Sequence, residues 1–186
     1  MKKILFALAF CVAAITANAA AIKWETDPSM ANFSQIGVNK VAYLLYGGSS
    51  DGIQNAIASQ TFTTTFGGAT FVDSALSYGD GYYDDANDDY KILANNIAVP
   101  AGETMATYDF YLVIFNADTV ENADGYMITG AITQNVYTDP TIPVLSVTFG
   151  DNEISANGWT PVGVPEPTAL ALLALGIAGL ALRRKA

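Results

Sequence analysis

The sequence predicts a mainly β protein: an antiparallel, jelly-roll-like β-sandwich between an N-terminal signal peptide and one C-terminal transmembrane helix. Three observations predict it. In the middle of the chain, runs rich in Val, Ile, Thr, Tyr and Phe alternate with Gly, Asn and Asp clusters, the texture of antiparallel all-β domains. At the start, Lys2 and Lys3 precede the apolar stretch Ile4–Ile15. At the end, every residue from Ala169 to Leu182 is Ala, Leu, Ile or Gly, and Arg183, Arg184 and Lys185 follow.

The first element is the signal peptide. Lys2 and Lys3 are its positive region and Ile4–Ile15 its apolar region. Ala17-Asn18-Ala19 is an A-x-A cleavage site, so the mature chain is expected to begin at Ala20; the Ala19–Ala21 run leaves later cleavage open. Cys11 sits inside the apolar region behind Phe10, a poor context for a lipid anchor, and reads as one more apolar residue. Residues 20–160 are expected to be the extracytoplasmic β domain and 161–186 the linker, anchor and tail.

Within the domain, Lys40–Tyr46 is expected as the first strand, stopped by Gly47-Gly48. Asp51–Ser59 places Ile53, Ala56 and Ile57 at i, i+3, i+4 and predicts a short helix capped by Ser50 or Asp51. Thr61–Phe66 and Thr70–Tyr78 read as strands, Gly79–Tyr90 as a polar loop, and Ile92–Val99 as ambiguous. Thr104–Phe115 predicts the central strand, because its second half is apolar almost without interruption and fits burial on both faces. Tyr126–Thr133 is expected to pair with it as a hairpin across the loop Asn116–Gly125. Val144–Phe149 alternates and reads as the last strand, and Pro161–Pro165 as a linker.

Composition narrows the chemistry. The chain has no histidine, and its one cysteine lies in the signal peptide. That removes the usual general base, the usual zinc ligand and every Ser–His or Cys–His pair. Between Ala20 and Val164 the basic residues are Lys23, Lys40 and Lys91, while all 18 acidic residues of the chain except Glu166 lie there. Three positive charges against seventeen negative leave −14, a surface that repels nucleic acid. Plain solubility outside the cell is the simpler account of that charge.

Two stretches could carry binding. Asp80, Asp84, Asp85 and Asp89 crowd one loop, and Asp85, Asn87 and Asp89 have the D-x-N-x-D spacing of a Ca²⁺ loop. Tyr90 replaces the loop glycine and Asn96 the bidentate glutamate, so the pattern is not an EF-hand; an irregular Ca²⁺ site or a solvated turn remains, and no other cofactor is expected. Tyr82, Tyr83 and Trp159, with Trp24, offer flat rings for stacking on sugars, or are ordinary packing residues. No spacing singles out a carboxylate pair for glycoside hydrolysis, and no catalytic residues are expected.

The C-terminal stretch carries the most specific pattern. Pro165, Glu166 and Pro167 form a stiff extended segment, since both prolines lack an N–H and Pro167 restrains Glu166. The helix Ala169–Leu182 is apolar all round; its 14 residues span about 21 Å, and counting from Pro165 gives about 27 Å against a hydrocarbon core of about 30 Å. Arg183 and Arg184 would stay in the cytoplasm. This order resembles the PEP-CTERM sorting signal of bacterial exported proteins, through Val164, Pro165, Glu166, Pro167, the helix, and Arg183 and Arg184. The resemblance implies an exosortase as processing partner. With the Sec machinery and signal peptidase implied by the other end, it predicts a non-enzymatic protein, membrane-anchored before processing and then in the envelope, surface or exopolysaccharide matrix. The alternative is a secreted carbohydrate-binding module with Ca²⁺ as a stabilising ligand.

Overall fold

The computed structural model describes residues 18–27, 29, 31–84, 92–150 and 158–163. In chain order the strands are Asn18–Thr26 (β1), Val41–Tyr46 (β2), Thr70–Leu76 (β3), Ile92–Val99 (β4), Met105–Phe115 (β5), Gly125–Ile128 (β6), Ile132–Tyr137 (β7), Leu145–Phe149 (β8) and Thr160–Pro161 (β9). The helices are Ala31–Ser34 (α1), Ser50–Ala58 (α2) and Phe62–Thr65 (α3), the last running into a 3₁₀ turn at Phe66–Gly68. The smaller sheet has the order β4-β1-β8; the larger runs β3-β2-β5-β6-β9, with β7 also paired to β5.

The mainly β expectation holds, and the two sheets pack as a sandwich. Its inner core joins Ile22 and Trp24 of β1, Ile97 of β4 and Val147 of β8 to Leu44 of β2 and Phe110, Leu112 and Ile114 of β5. The opposite face of the larger sheet is also covered. Leu45, Tyr111, Val113 and Phe115 pack there against Ile53 and Ile57 of α2 and Phe62 of α3. The result is three layers, small sheet on large sheet on α2 and α3, while α1 sends Phe33 into the inner core. That explains why Phe110–Phe115 is buried at every position: alternate side chains enter two different cores. Each fully buried Leu, Ile or Phe contributes roughly 1.5–3 kcal/mol, so this strand is the main hydrophobic anchor of the domain.

Several expectations are corrected. The first strand is β1, which the sequence reading left unassigned; its flanking alanines hid a strand that pairs antiparallel with β4 and parallel with β8. That parallel pair, and three strands facing six, depart from a purely antiparallel jelly roll. Ile92–Val99 resolves as strand β4. The hairpin partner of β5 is split, β6 pairing with Val113–Phe115 and β7 with Met105–Phe110. Val144–Phe149 is the eighth strand and not the last, because β9 follows it. The cap of α2 is Ser49, whose hydroxyl accepts the Gly52 N–H at 3.1 Å.

Thr61–Phe66 is helical where a strand was expected. A run of six residues with Phe62 and Phe66 on one side satisfies either period. Here the Thr61 carbonyl accepts the N–H groups of Thr64 and Thr65 at 2.9 and 3.0 Å. Phe62 and Phe66 meet edge to face at 5.1 Å, and Tyr43 lies against both rings. The decisive contact is backbone against backbone. Gly67, at φ +62°, lies so close to Gly52 of α2 that a Cβ on either would overlap the other's carbonyl oxygen.

Candidate functional site

The last described residues, 159–163, form a strap docked on the domain. Thr160 and Pro161 form β9 on the edge of β6, pairing with Tyr126 and Gly125. Proline is tolerated there because this edge position needs no ladder N–H. The Val162 N–H donates to the Asp124 carbonyl at 2.9 Å, and the Val162 side chain packs against the core under the helices. The Gly163 carbonyl accepts Gln60 Nε2 at 3.0 Å. A Cβ at Gly163 would lie 2.6 Å from the Ala58 carbonyl oxygen, so only glycine fits that approach. Beside the strap is a pocket of about 270 Å³ lined by Ile57, Gln60, Phe62, Phe115, Val120, Glu121, Ala123 and the strap's own Val162.

The loop that receives the strap is itself buckled. The Asn116 side chain accepts the N–H groups of Asp124 and Gly125 at 3.1 Å each and donates to the Asp124 carboxylate. Lys40 Nζ closes the loop base by donating to the Asn116 carbonyl at 2.7 Å. Pro161, Val162 and Gly163, expected as the start of a linker, are therefore part of the folded domain. The sorting residues Val164, Pro165, Glu166, Pro167, Arg183 and Arg184, and the helix Ala169–Leu182, lie outside the described residues. Among those described, no helix is long and apolar enough to cross a membrane.

At the other end, Ala17 also lies outside the described residues, while Asn18 and Ala19 already pair with Val99 and Ala98 at the start of β1. Ala20, the expected mature N-terminus, is buried in the inner core.

The aspartate loop is described only in part. Asp80 sits at φ +51° in a turn closed by reciprocal backbone bonds between Tyr78 and Tyr82. Asp84 accepts the Tyr82 hydroxyl at 3.0 Å. Asp85 and Asp89 lie outside the described residues. Among the residues described, no three acidic side chains gather around a point where a cation could sit.

The aromatic residues are not brought together. Tyr83 is a core residue rather than a platform. It is fully buried and stacks on Trp24 with ring centroids 6.2 Å apart, and its hydroxyl donates to the Lys40 carbonyl at 2.9 Å. Burial pushes its phenol well above the usual range. Trp24 is equally buried, and its indole N–H donates to Asp73 at 3.0 Å. Trp159 half-buries against the inner core just before β9, on the edge of the large sheet opposite β3. Tyr82 follows β3 instead, and its neighbour is Tyr78, a residue that sequence reasoning missed, with ring centroids 5.4 Å apart. Burial raises the Tyr82 phenol first, and the bond to Asp84 adds to it.

Gln60 and Asp124 were also missed as partners of the chain exit. Gln60 lies 103 positions from Gly163, and no local pattern announces a contact of that span. Glycine before Val-Pro-Glu-Pro was the one visible hint.

Comparison with curated proteins and with solved structures returned no match. A family model does match the C-terminal stretch, and its first matched residue is the strap's last, Gly163. The stretch is thus one that implies export and processing by an exosortase: residues 163–185 of this chain are a PEP-CTERM protein-sorting motif.

Proposed function

We propose that this protein is a non-enzymatic passenger of the cell surface or exopolysaccharide matrix. Its two ends handle delivery and its β domain is what remains. The Sec machinery takes the chain out, signal peptidase cuts after Ala19, and the helix Ala169–Leu182 halts in the membrane with Arg183 and Arg184 inside. The exosortase then acts near Pro165–Pro167. The match of residues 163–185 to the sorting motif carries this reading.

The structural role of the domain is supported by how its polar groups are used. Tyr83 holds the Lys40 carbonyl, Asp73 holds the Trp24 indole, and Glu25 accepts the Thr148 hydroxyl at 2.9 Å. In these three contacts polar side chains tie distant parts of the domain together. Mass spectrometry of protein recovered from the cell surface should find neither residues 1–19 nor the helix after Pro167. Intact C-terminal helix in the released form would overturn the processing step.

A second reading, sugar binding, is favoured by Tyr78 and Tyr82. Their rings lie side by side at the end of β3, Tyr78 is 37% exposed, and Asp84 and Glu25 stand beside the Tyr82 hydroxyl. Retention on a polysaccharide column, lost on Tyr82→Ala and independent of Trp159→Ala, would establish it. Millimolar Ca²⁺ in the same runs tests a calcium role for Asp80, Asp84, Asp85 and Asp89.

A further inference from the structure

We infer that the strap 159–163 is a clasp that controls access to the sorting motif, and that it must peel from the domain before the motif is processed. The inference rests on the sorting reading above, and three observations on described residues carry it.

First, folded domain and motif share a residue. Gly163, the last described residue, is docked on the domain and is also the first residue of the matched stretch 163–185. Second, the strap is held on both sides and at its base. Asp124 accepts from Val162 at 2.9 Å, Gln60 donates to Gly163 at 3.0 Å, the half-buried Val162 side chain packs against the core under the helices, and Thr160–Pro161 is paired with β6. Third, the fit at Gly163 is steric as well as polar, with the Ala58 backbone where a side chain would be.

The geometry sets the consequence. From Gly163 to Pro165 is two residues, at most about 7 Å of extended chain. A processing enzyme that grips the Pro-Glu-Pro segment would meet the body of the domain while the clasp is closed. Opening residues 159–163 adds about 16 Å of extended chain. A two-residue strand at the sheet edge is also the kind of element that opens locally without unfolding the rest. The Val162 side chain is one wall of the pocket of about 270 Å³ beside the strap.

The test uses the full-length chain in a host with the processing machinery, followed by pulse-chase labelling and loss of the C-terminal fragment. Two variants open the clasp without touching residues 163–185. Gln60→Ala removes the donor to Gly163, and Val162→Pro removes the N–H that Asp124 accepts. Each should speed processing about fivefold, the effect of one ordinary hydrogen bond on a local opening equilibrium, and the pair together more. Hydrogen exchange on the purified chain reports the same opening independently, at the Val162 amide in Gln60→Ala. A melting curve confirms that the rest of the domain is unchanged; should Val162→Pro fail to fold, Gln60→Ala alone decides. Faster exchange with unchanged processing would overturn the clasp. Unchanged exchange would overturn it too. If even the wild-type chain is never processed, the sorting reading falls, whereas the exchange result still says whether the strap is closed.

Discussion

The two faces of the large sheet are built from the same strands and behave differently. Toward the small sheet, Phe110, Leu112 and Ile114 join side chains from both sheets in a continuous core that includes Trp24 and Tyr83. Toward the helices, Tyr111, Val113 and Phe115 meet a cover made of one nine-residue helix, one four-residue helix and a 3₁₀ turn. Rings fill that face edge to face, Phe115 lying 5.2 Å from Phe62 and 6.0 Å from Tyr43. A cover of short pieces leaves gaps. One gap is the pocket between α2 and the loop after β5, and the chain's exit strap is laid along its side. Sheet on sheet gives this domain its stability. The patchwork of helices gives it a place to hold and release its own end.

Four substitutions separate these roles, taken from the largest effect to the smallest. Phe110→Ala opens a cavity in the closed inter-sheet core and should cost about 4 kcal/mol in denaturant unfolding. A loss below about 1 kcal/mol would mean the two sheets do not share one core. Phe62→Ala removes a ring that borders an existing pocket; it should cost about 3 kcal/mol and leave β-sheet signals intact. If it cost as much as Phe110→Ala, the two faces would be energetically equal and the contrast would fail.

Tyr83→Phe should cost about 1 kcal/mol near neutral pH, the net value of its hydrogen bond to Lys40. Burial raises the Tyr83 phenol above its ordinary value of 10.0, so its protonation favours the folded state fully below that pH. That contribution is lost as pH climbs from about 10. The variant should therefore lose less stability between neutral and strongly alkaline pH than the wild type. An identical alkaline decline would place Tyr83 in water.

The smallest effect belongs to Asp139, fully exposed, whose carboxylate accepts the Thr141 N–H at 2.8 Å and hydroxyl at 2.7 Å. The backbone bond, then the hydroxyl, holds its pKa below the ordinary 3.8. A depressed value stabilises above 3.8 and is lost as pH falls through the folded value. Asp139→Asn should trim stability slightly at neutral pH and not at pH 2, in acid titration followed by circular dichroism.

How much was legible follows the reach of the signals. Thr104–Phe115 announced itself because a strand buried on both faces must be apolar at consecutive positions. Ile53, Ala56 and Ile57 announced α2 by their helical spacing, and all three are buried. Thr61–Phe66 did not, since six residues fit both periods and only the close approach of Gly67 to Gly52 selects the helix. Tyr82 and Tyr83 are adjacent and chemically identical, yet one is half-exposed beside Asp84 and the other is sealed against Trp24.

By itself, then, the amino-acid sequence determined the class of the domain and the sorting motif at its end. Both are written in contiguous residues: alternating β-formers and turn residues for the one, Val-Pro-Glu-Pro, apolar helix and arginines for the other. Only the tertiary structure decided which aromatics are core, that β1 lies parallel to β8, and that residues 159–163 are clasped to the domain. Those outcomes depend on partners far apart in the chain, Gln60 with Gly163 and Trp24 with Asp73, whose meeting is set by how layers pack and leaves no local periodicity to read.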